Sequence, residues 1–150
     1  MDPVLESRLD EASRVFAEEL FARFPTWRSL ASSDAGGIVV EVPSPAADAE
    51  RVLRFWMERG EPSVAVGAWH THEGLWPSRD AWFAFIEDIL CDRRLFLVIP
   101  GDPASWSVLE DPVDEEIADV LTGASAPREV RVLSWSGARD RIVRMSDLSI

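Results

Sequence analysis

The sequence predicts an α+β fold: a single domain over residues 1–150, with a mixed or antiparallel sheet of about five to six strands and helices packed mainly on one face. Three observations lead there. Apolar residues recur at helical spacing in some segments and in short β-branched runs in others. These segments follow the order α-β-α-β-α-β-β-α-β-β, without the strict alternation of a doubly wound sheet. Finally, 150 residues suit one core, and neither a repeat, a low-complexity stretch nor a long linker divides them.

The first helix is marked by Asp2 as a cap, Pro3 at the first helical position and Pro25 as a stop. Its apolar stripe is Leu5, Leu9, Ala12, Phe16, Leu20 and Phe24. "GGIVVEV" (36–42) reads as a strand ended by Pro43. Ser44 and Pro45 open an expected second helix, with Ala49, Val52, Leu53 and Trp56 on its inner face and Gly60 at its end. "SVAVGAWHTH" (63–72) is the next strand. Ser78 caps a third helix, with Asp80 in its first turn, where the helix dipole favours an anion, and Trp82, Phe85, Ile86, Ile89 and Leu90 as its stripe. "RLFLVIP" (94–100) is apolar enough to be a central strand, with "SWSVLE" (105–110) as its hairpin partner across Pro-Gly-Asp-Pro. A short helix from Asp111-Pro112 to Gly123 carries Val113, Ile117, Val120 and Leu121. "EVRVLSWS" (129–136) and "RIVRM" (141–145) close the chain as a hairpin.

Charge narrows the function classes. The net charge is −12, and all 15 cations are arginine, because the chain has no lysine; it also lacks asparagine, glutamine and tyrosine. Lysine, asparagine and tyrosine have AT-rich codons, so this usage points to a GC-rich bacterial genome. A surplus of carboxylates disfavours nucleic acid, whose phosphates need clustered cations, and anionic membranes. It favours encounter with a basic protein. Asp102, Glu110, Asp111, Asp114, Glu115, Glu116 and Asp119 fall in one stretch without an arginine, whereas five arginines face three carboxylates from Arg128 onward. The acidic stretch is either a solvated loop and helix start or a partner-facing patch. A single cysteine forbids an intrachain disulfide, and Cys91 reads as a structural thiol. The acidic N-terminus lacks the pattern of a secretion signal, and no apolar run is long enough to span a bilayer, so the expected location is the cytoplasm.

"VGAWHTHEGLWPSRD" (66–80) holds both histidines, His70 and His72. Alternation along one continuous strand puts both imidazoles on the same face as Val64, Val66 and Ala68, where they either satisfy neighbouring backbone groups or hold a metal. Glu41, Glu73 and Asp80 are the nearest further ligands by chain logic. "VGAWHTH…PSRD" resembles the metal motif of the JAB/MPN metalloproteases. The resemblance implies zinc, with His70 and His72 as ligands, Ser78 as an oxyanion-stabilising hydroxyl and Glu41 as the base. It departs from that family in having only five residues between His72 and Ser78, Phe83 where the aspartate ligand falls, Asp80 too early, and Glu73 where proline is usual.

The stretch also resembles small acidic immunity proteins of bacterial polymorphic toxin systems, on Trp69-His70-Thr71-His72, the aromatic turn Leu75-Trp76, the helix over 81–90 and the apolar strand over 95–99. That resemblance implies a cytoplasmic, non-catalytic protein that binds and blocks one toxin. The expected binding surface is Glu73, Trp76, Asp111, Asp114, Glu115 and Glu116, because a rigid aromatic beside charge is the usual make-up of an interface hot spot. Trp56 and Trp82, on helix stripes, are expected in the core. No cofactor is expected on this reading; zinc and a hydrolase activity belong to the other. GxGxxG, GxxxxGK[ST] and GxSxG signatures are absent.

Overall fold

In the computed structural model of the chain, residues 3–47, 50–71, 76–102, 105–110, 113–123 and 125–148 are described. The α+β class holds, and every strand pair is antiparallel, but the strands divide between a five-stranded sheet in the order β1-β2-β3-β4-β5 and a four-stranded sheet in the order β7-β6-β8-β9. The chain likewise divides into two compact units, one formed by 1–44 and 48–77, the other by 45–47 and 78–150.

In the first unit the expected single N-terminal helix is broken. A short turn, α1 (Pro3–Glu6), precedes α2 (Glu11–Arg23). The break is at Asp10, whose carboxylate accepts a 2.7 Å hydrogen bond from the Ser13 N–H and so starts a new helix. Phe16, Ala17, Leu20 and Phe21 are buried on α2, while Ala12 is exposed; Asp2, the expected cap, lies outside the described residues. A 3-10 segment (Pro25–Leu30) then brings Trp27 onto Phe55, with ring centroids 5.2 Å apart.

The sheet that follows is a meander of tight hairpins. β1 (Ala31–Asp34) pairs with β2 (Gly37–Val42) across Ala35-Gly36, both at positive φ. β3 (Leu53–Glu58) pairs with β4 (Glu61–Val66) across Arg59-Gly60, again both at positive φ. Two central residues at positive φ match the right-handed twist of the flanking strands. The helix expected from Ser44 to Gly60 is therefore corrected to a strand over Leu53–Glu58, with Ala49 outside the described residues. Leu53 and Phe55 are fully buried while Arg54 between them is exposed, a two-residue period that the helical reading overlooked. Glycine at positive φ serves a helix end and a hairpin turn equally well, so Gly60 could not separate the two. A Cβ built at Gly60, φ +86°, meets nothing within 4 Å. Gly60→Ala is thus expected to cost about 1 kcal/mol through the backbone alone, measured by urea denaturation. A loss above about 3 kcal/mol would contradict the open turn.

The strand expected over 63–72 is corrected too. It ends at Val66, turns at Gly67 (φ +59°) and Ala68, and returns as the two-residue β5 (Trp69–His70). Ile38, Val40, Val42, Leu53, Phe55, Val64 and Val66 share the buried face. α2 packs against β2 and β3, and the Ile38 N–H donates to Ser13 Oγ at 3.2 Å.

In the second unit, Ser78 Oγ caps α3 (Arg79–Leu90) as expected, accepting from the Ala81 N–H at 3.1 Å. Trp82, Phe83, Ile86 and Ile89 are its buried residues. Beyond its end Arg93 reaches back to Asp88, Nε–Oδ1 2.7 Å, and that carboxylate raises the guanidinium pKa further above its already high value. β6 (Arg94–Val98) is central, between β7 (Ser107–Glu110) and β8 (Glu129–Ser134), and β9 (Arg141–Arg144) is an edge. Leu95, Leu97, Val130 and Val132 meet Val113, the N-cap of α4 (Asp114–Thr122), and Ile117 and Leu121 within it in one apolar cluster. No helix among the described residues is long and apolar enough to cross a membrane.

Candidate functional site

The first candidate surface is the side of the five-stranded sheet opposite its buried face. The register aligns Glu41, Arg54, Ala65 and His70 in one row across β2, β3, β4 and β5. Trp56, two residues from Arg54 on the same face, is half-buried, which corrects its expected core position; Trp82 is buried as expected. The Arg54 guanidinium lies 5.9 Å from the centre of the Trp56 ring and its Nε 3.6 Å from Glu41 Oε1. Their side chains are 50% and 59% exposed, so the ion pair contributes at most about 1 kcal/mol and is readily exchanged for another partner.

This ridge separates two grooves. One, of about 340 Å³, runs between it and His70 over Val52, Ala65 and Gly67, with Glu41 and Glu50 on its rim. The other, of about 310 Å³, lies over Gly37 and Val39 with Asp34 on its rim. His70 is exposed, with Nδ1 3.4 Å from the Ala68 carbonyl oxygen. The residue that anchors this strand end is Thr71, which sequence reading passed over. It is buried, its N–H donates to the Val64 carbonyl at 2.9 Å, and its Oγ1 accepts from the Val64 N–H at 3.0 Å. A β-branched hydroxyl beside an exposed histidine at an edge was the available signal.

The second candidate surface is the acidic stretch of the other unit. Glu110 Oε2 forms an ion pair with Arg94 Nη1 at 3.2 Å, and Asp114 Oδ1 accepts from Arg141 Nη2 at 2.8 Å. Arg144 likewise pairs with Glu129, Nε–Oε2 3.1 Å. The basic C-terminal hairpin therefore lies beside the acidic helix start and neutralises part of it. Glu115, Glu116 and Asp119 remain exposed on α4 while Ile117 and Leu121 fill the core. Three carboxylates in the first turn suit the positive end of the helix dipole.

Of the binding residues expected from sequence, Asp114, Glu115 and Glu116 fall together here. Trp76, expected on the same binding surface, is half-buried and belongs to the other unit; Glu73 and Asp111 lie outside the described residues. Of the zinc set, Glu41 and His70 line one groove, but Arg54 stands between them in the row and its guanidinium repels a divalent cation. Asp80 is exposed on α3 of the second unit, and His72 lies outside the described residues. Among the described residues no three His, Cys, Asp or Glu are grouped to hold a metal ion. Cys91, expected to be structural, is exposed just beyond α3.

The sequence matches no protein-family model, no curated protein and no solved structure.

Proposed function

We propose that the protein is a non-catalytic, acidic protein-binding module of the cytoplasm, acting as an immunity protein that binds and blocks a basic toxin domain. The observation that carries this reading is the exposed carboxylate face of α4. Glu115, Glu116 and Asp119 stay exposed after Arg141 has paired with Asp114, in a chain whose net charge is −12. A rigid helix bearing like charges and backed by an apolar core attracts a basic partner over several ångströms and accelerates its docking. The shallow, open grooves on the sheet of the first unit also suit a macromolecular surface better than an enclosed small substrate.

The test pairs this chain with the protein encoded beside it in its source genome. Co-expression is expected to rescue growth from that protein's toxicity, and the purified pair is expected to associate. Glu115→Lys/Glu116→Lys/Asp119→Lys is expected to slow association at least tenfold at low salt, with a smaller effect at high salt. Neither rescue nor a complex would remove the immunity reading. About one zinc per purified chain, lost in His70→Ala, would replace it with a zinc hydrolase built on His70 and His72.

A further inference from the structure

We propose that the open face of the five-stranded sheet is the site where such a partner inserts cationic side chains, on either side of the Arg54–Trp56 ridge. This inference rests on the acidic-module reading and adds where the basic segment sits and what it touches.

Four observations support it. First, Trp56 is a large aromatic left half-buried on a sheet face beside the charged Glu41 and Arg54, between two grooves. A rigid ring so placed gives a bound chain much contact area at little entropic cost. Secondly, both grooves end in carboxylates, Asp34 in one and Glu41 with Glu50 in the other, against one guanidinium, Arg54, among the described residues that line them. The face is thus negative at both ends and aromatic in the middle, which complements a segment carrying arginine or lysine. Thirdly, the grooves run over small or apolar side chains of the same face, Val39 on one side and Val52 and Ala65 on the other, which accept the aliphatic stem of such a residue while its charged head reaches the rim. Fourthly, Arg54 already shows the geometry in miniature. Its guanidinium lies over the Trp56 ring and beside Glu41 in a contact that is half exposed. A partner guanidinium, preorganised to pair two-pronged with a carboxylate, takes the place of Arg54 on Glu41 and over the Trp56 ring while Arg54 swings out to solvent.

An anionic occupant is disfavoured, because the carboxylates of both rims would face it. A second copy of this chain is disfavoured for the same reason, since its own net charge is −12.

The experiment uses the full chain, isotope-labelled, titrated with a hexa-arginine peptide and in parallel with hexa-glutamate. Hexa-arginine is expected to shift the Trp56 indole resonance together with the amides of Ala65 and His70. Asp34→Asn/Glu41→Gln/Glu50→Gln, all exposed positions, is expected to weaken binding at least fivefold with an unchanged melting curve. Trp56→Ala is expected to weaken it similarly, and Trp56→Phe to restore part of the loss. Shifts confined to Glu115, Glu116 and Asp119, with Trp56 unmoved, would overturn this site while leaving the acidic-module reading in place. No shift anywhere would overturn both. A Trp56 shift of equal size with hexa-glutamate would overturn the cationic occupant.

Discussion

Phe55→Ala is expected to destabilise the first unit by about 4 kcal/mol, near the upper range for emptying a buried aromatic site. Its ring is fully buried and stacked on Trp27, itself 4.1 Å from Phe24 in a second stack, so truncation opens a cavity that three neighbouring elements cannot close without moving. Trp56→Ala, one residue away, is expected to cost no more than about 2 kcal/mol, because its larger ring is only half-buried and loses less contact. Urea denaturation of the two variants gives the comparison directly. A helix over this segment, with Leu53 and Trp56 facing inward, would reverse the order, so a Trp56 variant weaker than the Phe55 variant would contradict the strand.

Asp92→Ala is expected to cost about 3 kcal/mol in the second unit. Asp92 sits between α3 and β6 at φ +55°, and its carboxylate accepts from both the Ser136 N–H (2.9 Å) and the Ser136 hydroxyl. Its carbonyl accepts from Arg139 Nη1 at 3.0 Å, so one residue ties the α3–β6 connection to the β8–β9 loop. Alanine loses two charge-assisted hydrogen bonds, worth about 1.5–3 kcal/mol each before water replaces them, and keeps an unfavourable backbone angle. Asp92→Gly, which loses the same bonds but relieves the backbone, is expected to be about 1 kcal/mol milder. Asn in place of Asp92, which keeps one acceptor and tolerates positive φ, should be milder still. The loop's own ties, Ser134 N–H to Asp140 and Arg139 N–H to Ser134 Oγ, should persist in all three variants. Faster amide exchange at Ser136 without faster exchange at Ser134 would show that pattern. An Asp92→Ala loss below about 1 kcal/mol would contradict the link.

Much of the second unit was legible in sequence because its signals are local and mutually consistent. Ser78 announces α3 three residues before the N–H it caps, the apolar run 95–98 marks a central strand, and Val113, Ile117 and Leu121 recur at helical spacing over β6 and β8. The first unit was less legible because its signals are shared between alternatives. Ser44-Pro45 looks like a helix start, and Leu53 with Trp56 looks like a helical stripe. Gly60 and Gly67 read as a helix end and a strand residue, although both sit in hairpin turns at positive φ. Only pairing with β2 and β4 decides for a strand there. The same holds for the site. His70 was visible, but its placement in a row with Glu41 and Arg54 depends on register, which runs across residues 41 to 70 and leaves no mark in any short window.

By itself, the sequence determined the α+β class, the acidic character of the chain, and the helices and strands whose caps, periods and turns lie within a few neighbouring residues. Tertiary structure alone decided that the strands form two sheets, that Arg141 reaches the acidic start of α4, and that Trp56 stands on an open face instead of in the core. The physical reason is range. Capping and periodicity act over one or two turns of chain, whereas strand pairing and charge pairing join residues far apart, and their energy exists only once the chain has closed on itself.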